Sequence, residues 1–265
     1  MGQNTKIEWT SNGDTPGHTF NIVWGCEKVS PACDRCYAEA WAKRAGFSLW
    51  GKGGERRVLS ADHWRAPMKW NAAAQKAGKA ARVFCSSMAD VFEDHPTVSE
   101  QRARLWPIVA ATPWLQWLLL TKRPENVRGM VPREWLKAWP SNVLPGFTAE
   151  NQEWFDRRHA DAVIDHIDPI VRFPWFVSYE PALGPINFGG MAGISWLIVG
   201  GESGGGARPM MLGWVRSARD QAAAAGVPFF LKQKVEAGKK ISLPVIDGRS
   251  WADMPELPTP IGGAS

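Results

Sequence analysis

The sequence predicts an α/β chain that closes into a partial or irregular (β/α) barrel of about six or seven parallel strands. Three observations lead there. Short apolar stretches alternate with helix-patterned ones at the spacing of βα units. Those stretches are apolar almost throughout, as strands covered on both faces are. Stretch after stretch then ends in a polar or charged cluster: Ser87 with Asp90, Lys122, Glu150, Glu180, Glu202 and Lys232. In a barrel the C-terminal ends of the strands converge on one mouth. A flat doubly wound sheet would use its C-terminal edge in the same way and stands as the alternative.

Taken in order, residues 1–17 are polar and turn-rich and read as an N-terminal arm. Phe20–Trp24 is a short strand that delivers Gly25 and Cys26 to a loop broken by Pro31. From Tyr37 the pattern turns helical until Gly46 stops it. A helix over Asp62–Lys79 is interrupted at Pro67. The strand Arg82–Ser87 leads to the acidic loop Asp90–Asp94 and a helix over 99–111. Trp114–Leu120 is a strand, followed by Thr121-Lys122-Arg123-Pro124 and a helix from Glu125. Asn142–Phe147 is a strand, followed by Glu150-Asn151 and a helix to Asp165. The next strands are Ile170–Val177 and Trp196–Val199, the latter running into the glycine-rich turn Gly200–Gly206. A helix over 213–225 precedes the last strand, Pro228–Leu231. The barrel domain thus spans 18–235, and the proline-punctuated 236–265 forms an extended tail.

The chain has 265 residues, 45% of them hydrophobic, enough for one large core. Sixteen Trp against two Tyr place many indoles half-buried or along clefts. A net charge of +5 permits a nucleic-acid partner and equally suits a mildly basic enzyme. The N-terminus opens on polar residues without an apolar signal region, and the longest apolar runs are too short to cross a bilayer. A cytoplasmic protein with no membrane partner is expected. Its thiols stay reduced there, so clustered cysteines point to metal or redox chemistry rather than a disulfide.

Three of the four cysteines, Cys26, Cys33 and Cys36, fall in a C-x6-C-x2-C run. Three thiols without a nearby fourth suit a metal site with an open position, such as a [4Fe–4S] cluster with one iron left free. Zinc completed by His18 or by Cys85 is the alternative, although Cys85 alone reads as a buried strand thiol. The five histidines are scattered, and no Ser-His-Asp order or H-E-x-x-H run is present. Asp90 reads either as an acceptor for a ligand ammonium or as a helix N-cap. Gly200, Gly201, Glu202 and Ser203 open a turn that lets backbone approach a ligand, or is a plain flexible loop. Lys122, Glu180 and Lys232 stand as the catalytic candidates; ordinary rim salt bridges are the other reading. Arg123, Arg128, Arg133, Arg157 and Arg158, interleaved with Trp135, Trp139 and Trp154, form either a basic nucleic-acid rim or solvated helix faces.

These motifs resemble the phage-associated three-cysteine-motif family, which is similar to the radical S-adenosylmethionine (SAM) enzymes. The resemblance rests on Gly25-Cys26 through Cys36-Tyr37-Ala38, Ser87-Met88-Ala89-Asp90, Leu120-Thr121-Lys122-Arg123-Pro124, Glu150-Asn151, Glu180-Pro181, Gly200-Gly201-Glu202-Ser203 with Ala207-Arg208-Pro209, and Pro228 to Gln233. The chain differs from the radical-SAM spacing C-x3-C-x2-C in its first gap, and Ala89 stands where the family pattern has Ser. The resemblance implies a barrel of the radical-SAM type. It implies that Cys26, Cys33 and Cys36 bind three irons while the amino and carboxylate groups of SAM chelate the fourth. An electron then breaks the sulfonium C5′–S bond, and the 5′-deoxyadenosyl radical takes a hydrogen from substrate. Ser87, Asp90, Glu150, Gly200, Gly201, Glu202 and Ser203 are the expected cofactor contacts. The expected substrate is a nucleic acid or a nucleotide-derived molecule. The expected partners are a flavodoxin or ferredoxin reductant and a dedicated protein encoded nearby. The alternative is a non-catalytic nucleic-acid- or partner-binding module with a structural zinc or Fe–S site.

Overall fold

In chain order the elements are β1 (His18–Phe20), β2 (Val23–Trp24), α1 (Tyr37–Arg44), β3 (Arg57–Val58), α2 (Ala61–Ala77), β4 (Ala81–Cys85), α3 (Pro96–Ala111), β5 (Leu115–Thr121), α4 (Val127–Met130), β6 (Val143–Thr148), α5 (Gln152–Val163), β7 (Trp175–Tyr179), β8 (Ile194–Gly200), α6 (Leu212–Ala225), β9 (Phe229–Glu236), β10 (Lys239–Ser242), β11 (Val245–Ile246) and β12 (Arg249–Ser250). The structure, a computed structural model, describes residues 2–11, 13, 15–163, 173–203, 206–236 and 239–256.

One sheet of eight strands carries the fold, in the order β1-β4-β5-β6-β7-β8-β9-β10. Each neighbouring pair from β1 to β9 is parallel; only β10 runs antiparallel, against β9. Strand order follows chain order without a reversal. A doubly wound sheet needs such a reversal, so that alternative falls. The sheet also curls. In a flat sheet β4 and β8 would lie about 19 Å apart, four spacings of ~4.8 Å. Yet the Trp9 ring sits 4.7 Å from Phe84 of β4 and 6.1 Å from Trp196 of β8. Alternation along the strands explains the two cores. Phe84, Leu118, Leu144, Phe176, Trp196 and Phe230 fill the concave side around Trp9, while residues such as Val83, Trp117 and Val199 meet the helices outside.

Local chemistry sets the helix ends. Ser60 Oγ accepts from His63 N–H at the start of α2, and Gly78 closes it in the left-handed conformation. Pro96 at the first position and His95 Nδ1, which accepts from Thr97 N–H, start α3 three residues before the predicted point. The helix over 61–77 runs through Pro67 rather than breaking there. The predicted strand Phe20–Trp24 is two strands, parted at Asn21 and Ile22. The helix expected from Glu125 is a single turn, α4. Asp165, Ile170 to Arg172, and Gly204 and Gly205 lie outside the described residues.

Ser11 and Pro255 meet at the N-terminal end of the sheet, at the start of β4. The buried Arg82 guanidinium donates to Ser11 O at 3.3 Å and to Pro255 O at 2.7 Å. Of the segment expected as an extended tail, the described residues continue β9, form β10 and the β11–β12 hairpin, and lay Trp251 against Phe229. Among the described residues no helix is long and apolar enough to cross a membrane.

Candidate functional site

A cavity of roughly 330 Å³ opens at the C-terminal ends of the strands, a size suited to a small organic ligand. Ladder register sets its floor: Thr148 lies beside Ser178 and Gly200 beside Gln233, so the polar strand ends stay level. The loop after β2 forms one wall. Gly25, at φ +115, donates to Met88 O at 3.0 Å, and a Cβ there would meet Leu49 O at 2.6 Å. Only glycine fits at that approach. Cys26 bridges to Trp50, Cys33 sits in a 3-10 turn over Pro31–Cys33, and Cys36 precedes the first turn of α1. All three thiols are free, and all three line the cavity. Neither His18 nor Cys85 lines it. His18 stacks on Trp70 at 4.4 Å, and Cys85 is buried in β4 against Ser86 Oγ.

What holds the cysteine loop is a set of carboxylate–guanidinium pairs that grip its backbone. Glu93 accepts from Glu27 N–H at 2.8 Å and from both Nε and Nη2 of the buried Arg56, each at 2.8 Å. Arg123 donates to Glu27 O at 3.0 Å and to Asp90 Oδ2 at 3.0 Å, with Cys26 Sγ 3.9 Å away. Glu150 accepts from Ala32 N–H at 3.4 Å and from Arg158 Nη1 at 2.7 Å. Arg208 donates to Pro31 O at 2.8 Å while Glu202 holds its guanidinium at 2.6 Å. The Arg56–Glu93, Arg123–Asp90 and Arg158–Glu150 pairs are buried and costly to break because the survivor is left an unpaired charge; Arg208 is a quarter exposed and its pair is screened more.

The predicted site residues therefore divide. Ser87, Asp90, Lys122, Glu180, Glu202, Ser203 and Lys232 line the cavity with the three cysteines. Glu150, Gly200 and Gly201 lie behind it. Glu150 is fully buried as a brace for the loop; Gly200 makes room for Glu180, whose Cδ would lie 3.3 Å from an added Cβ. Asp90 is not a helix N-cap, since α3 starts from His95. Its carboxylate accepts from Thr121 Oγ1, Phe92 N–H, Lys122 N–H and Arg123 Nη1. Burial alone would raise its pKa, but Arg123 and those hydrogen bonds hold it below the ordinary carboxylate range. The Glu180 side chain accepts from Lys232 Nζ at 2.6 Å and from Gln233 Nε2 at 3.2 Å. Of the residues named for a basic rim, Arg123 and Arg158 are buried in the clamps and Trp135 belongs to the outer core, while the exposed Arg157 lies over Trp154 and lines a second cavity with it.

Sequence reasoning gave no site role to Arg56, to Glu93 of the acidic loop or to Tyr37 of the cysteine motif, whose hydroxyl donates to Ser87 O at 2.7 Å, and it placed Arg158 on a rim or solvated helix face rather than in a clamp. Arg123 and Arg208 sat inside motifs already singled out, and that was the available signal.

The donor set fits an iron–sulfur group. Three unoxidised sulfurs, soft ligands, reach one cavity from one loop, with a charged shell behind them. Among the described residues no three His, Cys, Asp or Glu side chains converge on a point that would hold a single metal ion. A cluster does not require that convergence, because each thiolate binds its own iron. Burial, reinforced by Asp90 and Glu93 and opposed by Arg123, pushes the Cys26 thiol up to about 12. A bound cation removes that penalty.

A family model described as a protein of unknown function, DUF5131, matches residues 4–255. No curated protein matches the chain. Among solved structures, spore photoproduct lyase complexed with dinucleoside spore photoproduct aligns at a TM-score of 0.48 and 14% identity, covering 90% of this chain and 68% of that one. A variant of the same lyase with bound AdoMet and the dinucleoside aligns at 0.47 with the same identity and coverage.

Proposed function

The chain belongs to the DUF5131 family of proteins of unknown function, and we propose that it is a radical SAM enzyme. We read it as one of the phage-associated three-cysteine-motif proteins, working in the cytoplasm on a nucleic acid or nucleotide-derived substrate. One observation carries this reading: three free thiols from a single backbone-clamped loop line one cavity at the mouth of a singly wound, mostly parallel half-barrel.

Cys26, Cys33 and Cys36 would hold a [4Fe–4S] cluster with SAM as its further ligand. Bound there, the pair supplies the one-electron chemistry that splits the C5′–S bond of SAM and takes hydrogen from substrate. The chain's own residues do the rest. Glu93, Arg123, Glu150 and Arg208 keep the loop in place through its peptide groups. Ser87, Glu202 and Ser203 offer polar contacts to SAM. Met88, Phe84 and Leu120 line the cavity with apolar surface and exclude water from the reacting atoms. Lys122 and the Glu180–Lys232 pair face the substrate and orient it. A flavodoxin or ferredoxin supplies the electron, and a partner protein encoded nearby completes the assembly.

Anaerobic purification tests this. The protein is expected to be brown and to carry about four irons per chain. With dithionite and SAM it should release 5′-deoxyadenosine, and Cys33→Ala should lose both iron and product. Colourless protein with about one zinc would instead support a non-catalytic binding module with a structural metal.

A further inference from the structure

The three cysteine sulfurs are not alike. Arg123 Nη1 lies 3.9 Å from Cys26 Sγ, within reach of an N–H···S contact. Among the described residues no hydrogen bond reaches the sulfur of Cys33 or Cys36. Both Arg123 and Cys26 line the cavity, so the contact sits at the site and not behind it. The guanidinium is fixed there. Its Nη2 donates to Glu27 O at 3.0 Å, and its backbone N–H donates to Thr121 Oγ1 at 2.9 Å. Its Nη1 carries two hydrogens. One goes to Asp90 Oδ2 at 3.0 Å, which leaves the other for the sulfur. The carboxylates of Asp90 and Glu93 also act on Cys26 and oppose added negative charge there. Arg123 is the cation that offsets them at the sulfur itself, in a place nearly closed to water. Its grip on the loop backbone needs only one face of the guanidinium; the N–H on the sulfur is a separate contact.

We propose that Arg123 sets the reduction potential of an iron–sulfur cluster held by Cys26, drawing charge from the Cys26 thiolate and making the cluster easier to reduce. Hydrogen bonds to the sulfurs, net charge and solvent exposure are what tune such a cluster, and Arg123 supplies the first two from one side chain. The step it acts on is electron transfer alone. One electron leaves the reductant and enters the cluster, no bond forms or breaks, and Arg123 keeps its protons. Arg123 is thus a positioning residue that acts through Cys26. The inference rests on the cluster reading given above, and it assigns control of the first electron to one arginine.

A redox titration followed by electron paramagnetic resonance tests it, on the full anaerobically purified chain without SAM. Arg123→Gln removes the charge. At a fixed potential it is expected to lower the ratio of reduced to oxidised cluster about tenfold, a shift of about 59 mV for a one-electron couple. Arg123→Lys restores the charge and should recover most of that shift. A purely structural role would lower iron content in both variants without this charge-dependent recovery. Should Arg123→Gln hold no cluster, the unaltered chain with isotopically labelled arginine nitrogens decides. Pulsed resonance of its reduced cluster is expected to show a contact coupling to a guanidinium nitrogen. Equal potentials in the Gln variant and the unaltered chain overturn the proposal, as does a labelled chain without that coupling. An unaltered chain with no iron–sulfur signal defeats the proposed function and this inference with it. A cluster whose potential ignores Arg123 defeats this inference alone.

Discussion

His18 shows how a single side chain couples this barrel to pH. It is buried, stacked flat on Trp70, with Nδ1 accepting from Asn4 N–H at 3.4 Å. Burial lowers its pKa from the ordinary 6.5 to about 4. Between those values the unfolded chain binds a proton that the folded chain refuses, so stability falls as pH falls. We expect a loss that begins near pH 6.5, approaches a slope of about 1.4 kcal/mol per pH unit, and reaches about 3 kcal/mol near pH 4. His63, also held low by burial, adds with the same sign. Urea denaturation at pH 7, 5.5 and 4.5 measures the trend, and His18→Phe should flatten it in part. An unchanged slope in that variant would rule out His18 as its source. At this scale the acids were legible and their partners were not. Glu150, Glu180 and Glu202 stand out because each follows an apolar run. Arg56 pairs with Glu93 across 37 residues and Arg123 with Asp90 across 33, and no local pattern encodes such a pairing.

The cysteine loop is the element on which these pairs act. Arg56 and Glu93 are almost inaccessible and bonded through two nitrogens. Arg56→Met leaves the buried Glu93 with only the more distant Arg123 Nη2, at 3.7 Å, as counter-charge. We expect a loss of about 3–5 kcal/mol of stability, seen as a lower denaturation midpoint with an unchanged slope. Iron retention should fall with it, since Glu93 also anchors Glu27 N–H. Full stability in that variant would show that the pair does not hold the loop. Elements of strong period, such as β5 and α6, were visible beforehand within a residue or two. The misjudged ones were decided by tertiary context. The helix after β5 stops at one turn where Val131 and Pro132 turn extended. The last strand runs on to Glu236 because β10 returns to pair with it, and an alternating Lys-Gln-Lys run gives little sign of that.

At the scale of the whole molecule, curvature was inferred from convergence of strand ends, and the strand order bears it out. The filling of the concave side was not foreseen. Trp9 lies in what read as a polar arm, where Ile7 and Trp9 alone are too short an apolar pattern to mark a buried element. It touches Phe84, Phe176 and Trp196 at once. Trp9→Ala is expected to cost about 3–5 kcal/mol through the void it leaves. Thermal or urea unfolding measures it, and a loss under about 1 kcal/mol would mean that the curled sheet holds without its plug. A wider consequence follows from where the loop is gripped. The clamps hold main-chain atoms of Glu27, Pro31 and Ala32, which every amino acid possesses. Substitutions at Glu27, Pro31 and Ala32 should therefore leave these backbone clamps in place, whereas Asp34 and Arg35 are also held through their side chains, by Arg208 at 3.5 Å and Glu202 at 3.8 Å. Proline at position 27 or 32 is the exception, because it deletes the very hydrogen that the carboxylate holds.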